Sequence, residues 1–311
     1  MGYLFLVIAL FFGSIKGYSG KKSSCAITSG DESLVVSAVR MVLCVIIGFF
    51  TLLFGGEISA IIPDVNTLWI SALSGFSNGI FIATWLAAVM SGAFMMVESF
   101  VLLGVAIPIV LCRVLFNESV SLQQIIGFLL LLVAVYVMCT YNSSIKGKIK
   151  PLSLLVLIAS GVAFGFADFS QKLFVKTVEG GSVAAFNFYT YVFAAITLST
   201  AYLIFLLLNK RKNIPMRTPK NVLRPIWHHV IFMAVCLFLY SYFKTLAAGY
   251  LDAALLYPLS QGIGVVFSLL LAHFLFGERI NKKCLIGMSL AFVAMVLINV
   301  DLSAIFGKVL I

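Results

Sequence analysis

Residues 84–141 of this 311-residue chain return, weakened, at 244–301. Leu86-Ala87-Ala88 reappears 160 positions later as Leu246-Ala247-Ala248. Leu115-Phe116-Asn117-Glu118 reappears as Leu275-Phe276-Gly277-Glu278, and Gly104 and Gly127 reappear as Gly264 and Gly287. A fainter copy relates Tyr18-Ser19-Gly20-Lys21 to Phe169-Ser170-Gln171-Lys172 at an offset of 151. The change of offset fits the stretch 209–224, which is longer than its counterpart 55–65. Two related halves have to be built from the same elements in the same order.

Those elements are apolar. The chain is 62% hydrophobic and 10% charged, with a mean hydropathy of +1.13, whereas soluble domains carry about 25% charged residues. The apolar residues come in continuous blocks of roughly 20, the length a helix needs to cross a bilayer core. Alternating segments of roughly ten residues, the mark of a transmembrane β-barrel, are not what these blocks look like. Ten spans are expected at 2–22, 33–54, 66–89, 92–115, 120–141, 151–175, 182–208, 225–249, 252–276 and 282–301. The expected fold class is therefore all-α integral membrane, with ten transmembrane helices as two inverted five-helix repeats. The repeats are 1–141 and 151–311, joined by the polar loop 142–150. Five is odd, so the second copy must run through the membrane in the opposite sense, the usual arrangement of a secondary transporter with a midplane site. Tyr3–Phe12 is read as part of a retained first helix, because no basic segment precedes it and no clear small-residue cleavage site follows.

A net charge of +10 invites a nucleic-acid partner, but no soluble domain exists to present a basic patch. The charges read better as orientation signals. Fourteen Lys and Arg fall in the loops after helices 1, 5, 7 and 9, against four on the opposite side. The positive-inside rule places the first side in the cytoplasm and both termini outside, with the plasma membrane as the expected location. Six cysteines and three histidines are scattered without a C-x-x-C pair, so no metal, cofactor or disulfide framework is expected. Cys44, Cys112 and Cys236 read as small hydrophobes. Gly262-x-Gly264 follows no strand and is not a nucleotide loop. No Ser-His-Asp arrangement is present, and enzyme chemistry is not expected. Asn117-Glu118-Ser119 and Asn142-Ser143-Ser144 match the glycosylation pattern but fall on opposite sides of the expected membrane, so both read as chance. Gly13-x-x-x-Gly17, Gly75-x-x-x-Gly79 and Gly161-x-x-x-Gly165 mark close helix contacts.

The second half also resembles a known family. Leu246-Ala247-Ala248-Gly249-Tyr250-Leu251-Asp252-Ala253-Ala254, then Pro258, Leu275-Phe276-Gly277-Glu278-Arg279 and Gly287, resemble the EamA-type members of the drug/metabolite transporter superfamily. In the first half Arg40 resembles an arginine early in the family's second helix, and Asn117-Glu118 stands where the family has Gly-Glu. The resemblance implies helices 1–4 and 6–9 around a central cavity, with helices 5 and 10 at the rear or in a homodimer contact. It implies cytoplasmic termini, opposite to the charge count, and it implies no particular substrate.

Ionisable groups at depth in a membrane cost about 2.5–3.5 kcal/mol on insertion scales and are functional candidates by default. Glu98, roughly 9 Å into the fourth span, reads as a proton-coupling carboxylate or a counter-ion for a cation. Arg40 and Lys244 are the cationic candidates, each against the alternative of snorkelling to the interface. Lys16 and Asp168 occupy closely corresponding places in helices 1 and 6 and are candidates to pair with each other. Lys21 and Lys172, the repeated lysines, are candidates for substrate contact. Asn78, Trp85, Tyr191, Tyr257 and Gln261 are the neutral cavity-lining candidates, against ordinary core packing. Tyr191 is the repeat counterpart of Arg40; Tyr257 and Gln261 lie one turn apart and flank Pro258.

These residues point to a transporter of a small polar organic metabolite working by alternating access. Arg40, Lys21 and Lys244 lean towards an anionic or zwitterionic substrate such as an amino acid or phosphorylated metabolite. Glu98 with its aromatic neighbours leans towards an organic cation. A membrane subunit or lipid-handling protein that binds without transporting is the reading from a different class.

Overall fold

Where no water reaches the backbone, each N–H and C=O has to be satisfied within its own segment, and a continuous apolar run does this as a helix. The computed structural model describes residues 1–24, 27, 29–90, 100–139, 151–211, 219–276 and 282–299. Among them are eleven α-helices, one short 3-10 turn (Ile58–Ile61) and no strand. The helices are α1 (Gly2–Ser24), α2 (Gly30–Phe54), α3 (Val65–Met90), α4 (Ala106–Phe116), α5 (Leu122–Cys139) and α6 (Pro151–Thr177). They continue as α7 (Val183–Arg211), the one-turn α8 (Pro219–Leu223), α9 (Trp227–Ala248), α10 (Ala253–Phe276) and α11 (Lys282–Asn299). The apolar blocks read from the sequence lie on these helices with boundaries shifted by a few residues. The fourth block, 92–115, is described from residue 100 onward; a turn at Val105 separates residues 100–104 from α4.

Among the described residues, five helices are long and apolar enough to cross a membrane: Gly2–Gly20, Gly30–Phe54, Leu154–Thr177, Val183–Lys210 and Trp227–Ala248. Large apolar side chains on their outer faces, such as Phe11, Phe50 and Leu207, are exposed. Such a surface suits lipid rather than water.

Polar residues appear where helices begin and end. Ser121 and Gln124 form a reciprocal capping box at the start of α5: the Gln124 N–H donates to Ser121 Oγ at 3.1 Å and the Ser121 N–H to Gln124 Oε1 at 3.0 Å. Asp64 caps α3, accepting the N–H groups of Asn66 and Thr67 at 3.1 and 3.3 Å. Asn117 ends α4 in the left-handed conformation, φ 52°. Glycine and asparagine take that conformation most readily, which explains why this position is Asn here and Gly277 in the repeat copy.

The main packing pairs are α1 along α9, α3 along both α6 and α7, α2 along α7, and α5 along α11. Glycines set the closest crossings. A Cβ on Gly75 would lie 2.4 Å from the Thr190 carbonyl of α7, and one on Gly161 would lie 2.3 Å from the Phe100 carbonyl. Gly13 faces the ring of Tyr240, but nothing lies within 4 Å of a Cβ on Gly17. The first of the three small-residue spacings is thus only half used. The largest buried cluster joins Leu6, Leu102, Phe174, Phe186, Leu256 and Tyr257, placing the core between α1, α6, α7 and α10.

Candidate functional site

The α9–α10 turn is held by two charged side chains from other helices. Lys172, on α6 and 1% exposed, donates to the carbonyls of Ala248 (3.0 Å) and Leu251 (2.6 Å) and lies 2.7 Å from Glu118 Oε1. Glu118, just past α4, accepts the Ala253 N–H through Oε2 at 2.8 Å. One lysine therefore satisfies carbonyls left over at the end of α9, and one glutamate satisfies an N–H left over at the start of α10. The two neutralise each other, with Lys176 at 3.7 Å adding to the attraction. Lys172 thus donates to two carbonyls and forms an ion pair with Glu118. Glu118 entered the sequence reading through the repeated Leu-Phe-Asn-Glu motif, the glycosylation pattern and the family resemblance, and was not among the site candidates. An acid that recurs in both copies was the signal of its importance.

About one helical turn along α6, Asp168 Oδ1 accepts from Lys244 Nζ of α9 at 2.7 Å, and both are buried. This corrects two expectations. Asp168 pairs with Lys244 rather than Lys16, because α9 lies against α6 at this level. Lys244 is 1% exposed and does not snorkel; the partner carboxylate makes burial tolerable. The Tyr257 hydroxyl of α10 donates to the Asp168 carbonyl at 2.6 Å, tying a third helix to the pair. Asp168 Oδ2 is buried without a hydrogen-bond partner among the described residues.

Lys16 and Arg40 differ from these. Neither has a salt-bridge carboxylate among the described residues. Lys16 sits over the ring of Tyr240, 4.6 Å from its centre, and Lys244 lies 5.6 Å from the centre of the same ring. Lys16 is within electrostatic reach of both Arg40 and Lys244. Arg40 Nε is buried with no hydrogen-bond partner among the described residues. Cys44, one turn from Arg40 on α2, donates its thiol to the Ala234 carbonyl of α9 at 3.4 Å, so this face of α2 is turned towards α9. Cys236, Tyr240 and Lys244 recur every four residues and form one stripe of α9.

The neutral candidates are mixed. Tyr191 is buried, donates to the Leu237 carbonyl at 3.2 Å and packs near Phe238. It therefore reaches α9 from α7. Asn78 donates to the Ser74 carbonyl of its own helix at 3.0 Å. Trp85 is half-buried between two apolar clusters, and Gln261 is half-buried on α10. Sequence reasoning passed over a buried polar pair, in which the Ser241 hydroxyl donates to Asn187 Oδ1 at 2.6 Å, linking α9 to α7. Pro258 leaves the Ala254 carbonyl without its helical N–H. Glu98 and the side chain of Lys21 lie outside the described residues. Cys44, Cys112 and Cys236 are all buried free thiols, consistent with use as small hydrophobes.

Two apolar clefts lie elsewhere. One, of about 440 Å³, runs between α4 and α5 beside Arg113 and Phe128. The other, of about 490 Å³, lies between α1 and α10 beside Tyr18 and Phe267. Neither is lined by Lys16, Arg40 or Lys244.

Residues 151–300 match the EamA-like transporter family. The second half of the chain is EamA-like. A solved crystal structure superposes with a TM-score of 0.75 at 14% identity, covering 96% of each chain. That likeness speaks for the fold across both halves. No functionally curated protein matches the chain. The apolar helices suit a multi-pass integral membrane protein, and residues 151–300 carry the likeness to a transporter family.

Proposed function

We propose that this protein is a secondary active transporter that moves a small polar organic metabolite, anionic or zwitterionic, by alternating access. The observation that carries the reading is a stripe of charged residues (Lys16, Arg40, Asp168, Lys244) inside an EamA-like bundle of apolar helices. Charges at such depth are costly and are retained where they meet a substrate or a coupling ion. Ten spans in two inverted halves, 1–141 and 151–311, suit this role. Support comes from packing: α1 lies along α9 much as α6, its repeat counterpart, lies along α3, the counterpart of α9. In this scheme Ala247-Ala248-Gly249 is a hinge, and Lys172 with Glu118 grips it while that end is closed. The basic loops face the cytoplasm.

Glu98 is the proposed proton-coupling carboxylate. A desolvated carboxylate takes up a proton more readily, so its loss of the proton would precede substrate entry. With Glu98→Gln, pH-dependent binding disappears while the folded state persists; unchanged pH dependence in that variant would remove Glu98 from the scheme.

The test is a thermal-stability screen of the purified chain against amino acids, amines, sugars and phosphorylated metabolites. A ligand that binds only the folded state raises stability by about 2.7 kcal/mol at a hundredfold excess over Kd. A specific shift with an anion or zwitterion supports the reading. A shift confined to amines selects the organic-cation reading with Glu98 as counter-ion. Silence in a folded sample favours a non-transporting subunit or lipid-handling protein.

A further inference from the structure

The buried charges of the described residues sort into partners and non-partners. Lys172 has Glu118 and Lys244 has Asp168, each at 2.7 Å. Lys16 and Arg40 have no carboxylate in salt-bridge range among the described residues. They lie at similar depth. Lys16 is eight residues from the end of α1 and Arg40 ten from the start of α2, or roughly 12 and 15 Å from the same membrane face at 1.5 Å per residue. Lys16 covers the Tyr240 ring of α9, and Arg40 lies one turn from Cys44, which is bonded to the Ala234 carbonyl of α9. Arg40 Nε is buried with no acceptor among the described residues. Neither residue as a whole is fully buried. Two unbalanced cations in an apolar bundle repel each other unless an anion joins them.

We propose that Lys16 and Arg40, facing α9 from α1 and α2, form an anion-binding site that takes a small organic dianion, a phosphomonoester or a dicarboxylate. The inference rests on the transporter reading and narrows its substrate class. Arg40 supplies a planar fork suited to two oxygens, and Lys16 supplies a compact charge beside it. The Asp168 carboxylate is engaged by Lys244 and does not cancel the charge of Lys16 or Arg40.

The experiment uses the purified full chain with glycerol 3-phosphate, succinate, glycerol and 1,4-diaminobutane as probes, read by thermal shift over a concentration series. One or both anions raise the melting temperature saturably, and the neutral polyol and the diamine do not. The two anions separate phosphate from carboxylate recognition. Lys16→Gln and Arg40→Gln each weaken anion binding about tenfold or more, the scale of one lost charge-assisted contact. Lys16→Arg recovers part of that loss. The ligand-free melting temperature of Lys16→Gln does not fall, which separates a site effect from misfolding. Diamine binding, anion binding unchanged in both Gln variants, or no anion response from a folded sample would each overturn the assignment. Vesicle flux keeps the two readings apart. Anion binding without flux leaves the site standing and removes the transporter; saturable diamine flux without anion binding does the reverse.

Discussion

Lys172 and Lys16 are both lysines within apolar helices, yet their surroundings are opposite. Lys172 is enclosed by Glu118 and two carbonyls, with its charge answered by an ion pair. Lys16 has an aromatic ring and two other cations near it. The first arrangement fixes three pieces of chain in one place. The second is incomplete without something negative. Where a buried charge is fully answered by the protein it holds the structure, and where it is not it is available for a ligand.

The comparison breaks most easily at Glu118. Glu118→Ala leaves Lys172 buried without its counter-charge, a change that costs about 3–5 kcal/mol. At a few degrees per kcal/mol, that lowers the melting temperature by roughly 10 °C in detergent. A melt within a degree or two of wild type would mean that Lys172 does not depend on Glu118. Next in size is Asp168→Asn, which strips the charge partner from Lys244 but keeps an acceptor. It is expected to cost about 1–3 kcal/mol, read by the same melts. A stabilised protein would show the pair to be a burden rather than a tie. Lys16→Gln sharpens the contrast, because losing an unneutralised cation is expected to change ligand-free stability by less than about 1 kcal/mol in either direction. A loss as large as that of Glu118→Ala would erase the distinction between the two lysines.

The smallest effect lies outside the bundle, at the cap of α3. Hydrogen bonds from the Thr67 side chain, and then from the Thr67 and Asn66 N–H groups, hold the Asp64 carboxyl below its ordinary value. A depressed folded value means that the cap's contribution is present above the ordinary carboxylate pKa. It is lost as pH falls through the folded value, below about pH 4. Asp64→Asn should flatten that part of the stability profile, by an amount kept small by exposure. An unchanged slope would show that the cap carries no linked proton.

Much of the fold was legible because apolar blocks of membrane length admit few conformations, and the described helices fall on those blocks. The repeat also marked what mattered locally. Lys172 and Glu118, which meet at the α9–α10 turn, both belong to repeated motifs, with Lys21 and Glu278 as counterparts. Their meeting was not legible, since they lie 54 residues apart, one on α6 and the other in the loop after α4. The pairing of Asp168 was misread for a related reason. Correspondence between repeats identifies equivalent positions, whereas contact depends on which helices lie side by side, and α6 meets α9 here. Glu118 was overlooked as a loop residue next to an asparagine; its burial follows from the left-handed turn at Asn117, which bends the chain back over the start of α10. That Arg40 Nε has no partner among the described residues was beyond the sequence, because partners depend on which helices lie side by side.

The most direct test of the whole account is flux into lipid vesicles that contain only this chain, loaded with unlabelled anion and given a labelled anion outside. The account predicts saturable exchange that depends on the protein and is lost in the Lys16→Gln, Arg40→Gln double variant while that protein remains folded. Vesicles holding folded wild-type protein that exchange none of the anions, amines or sugars tested would contradict it.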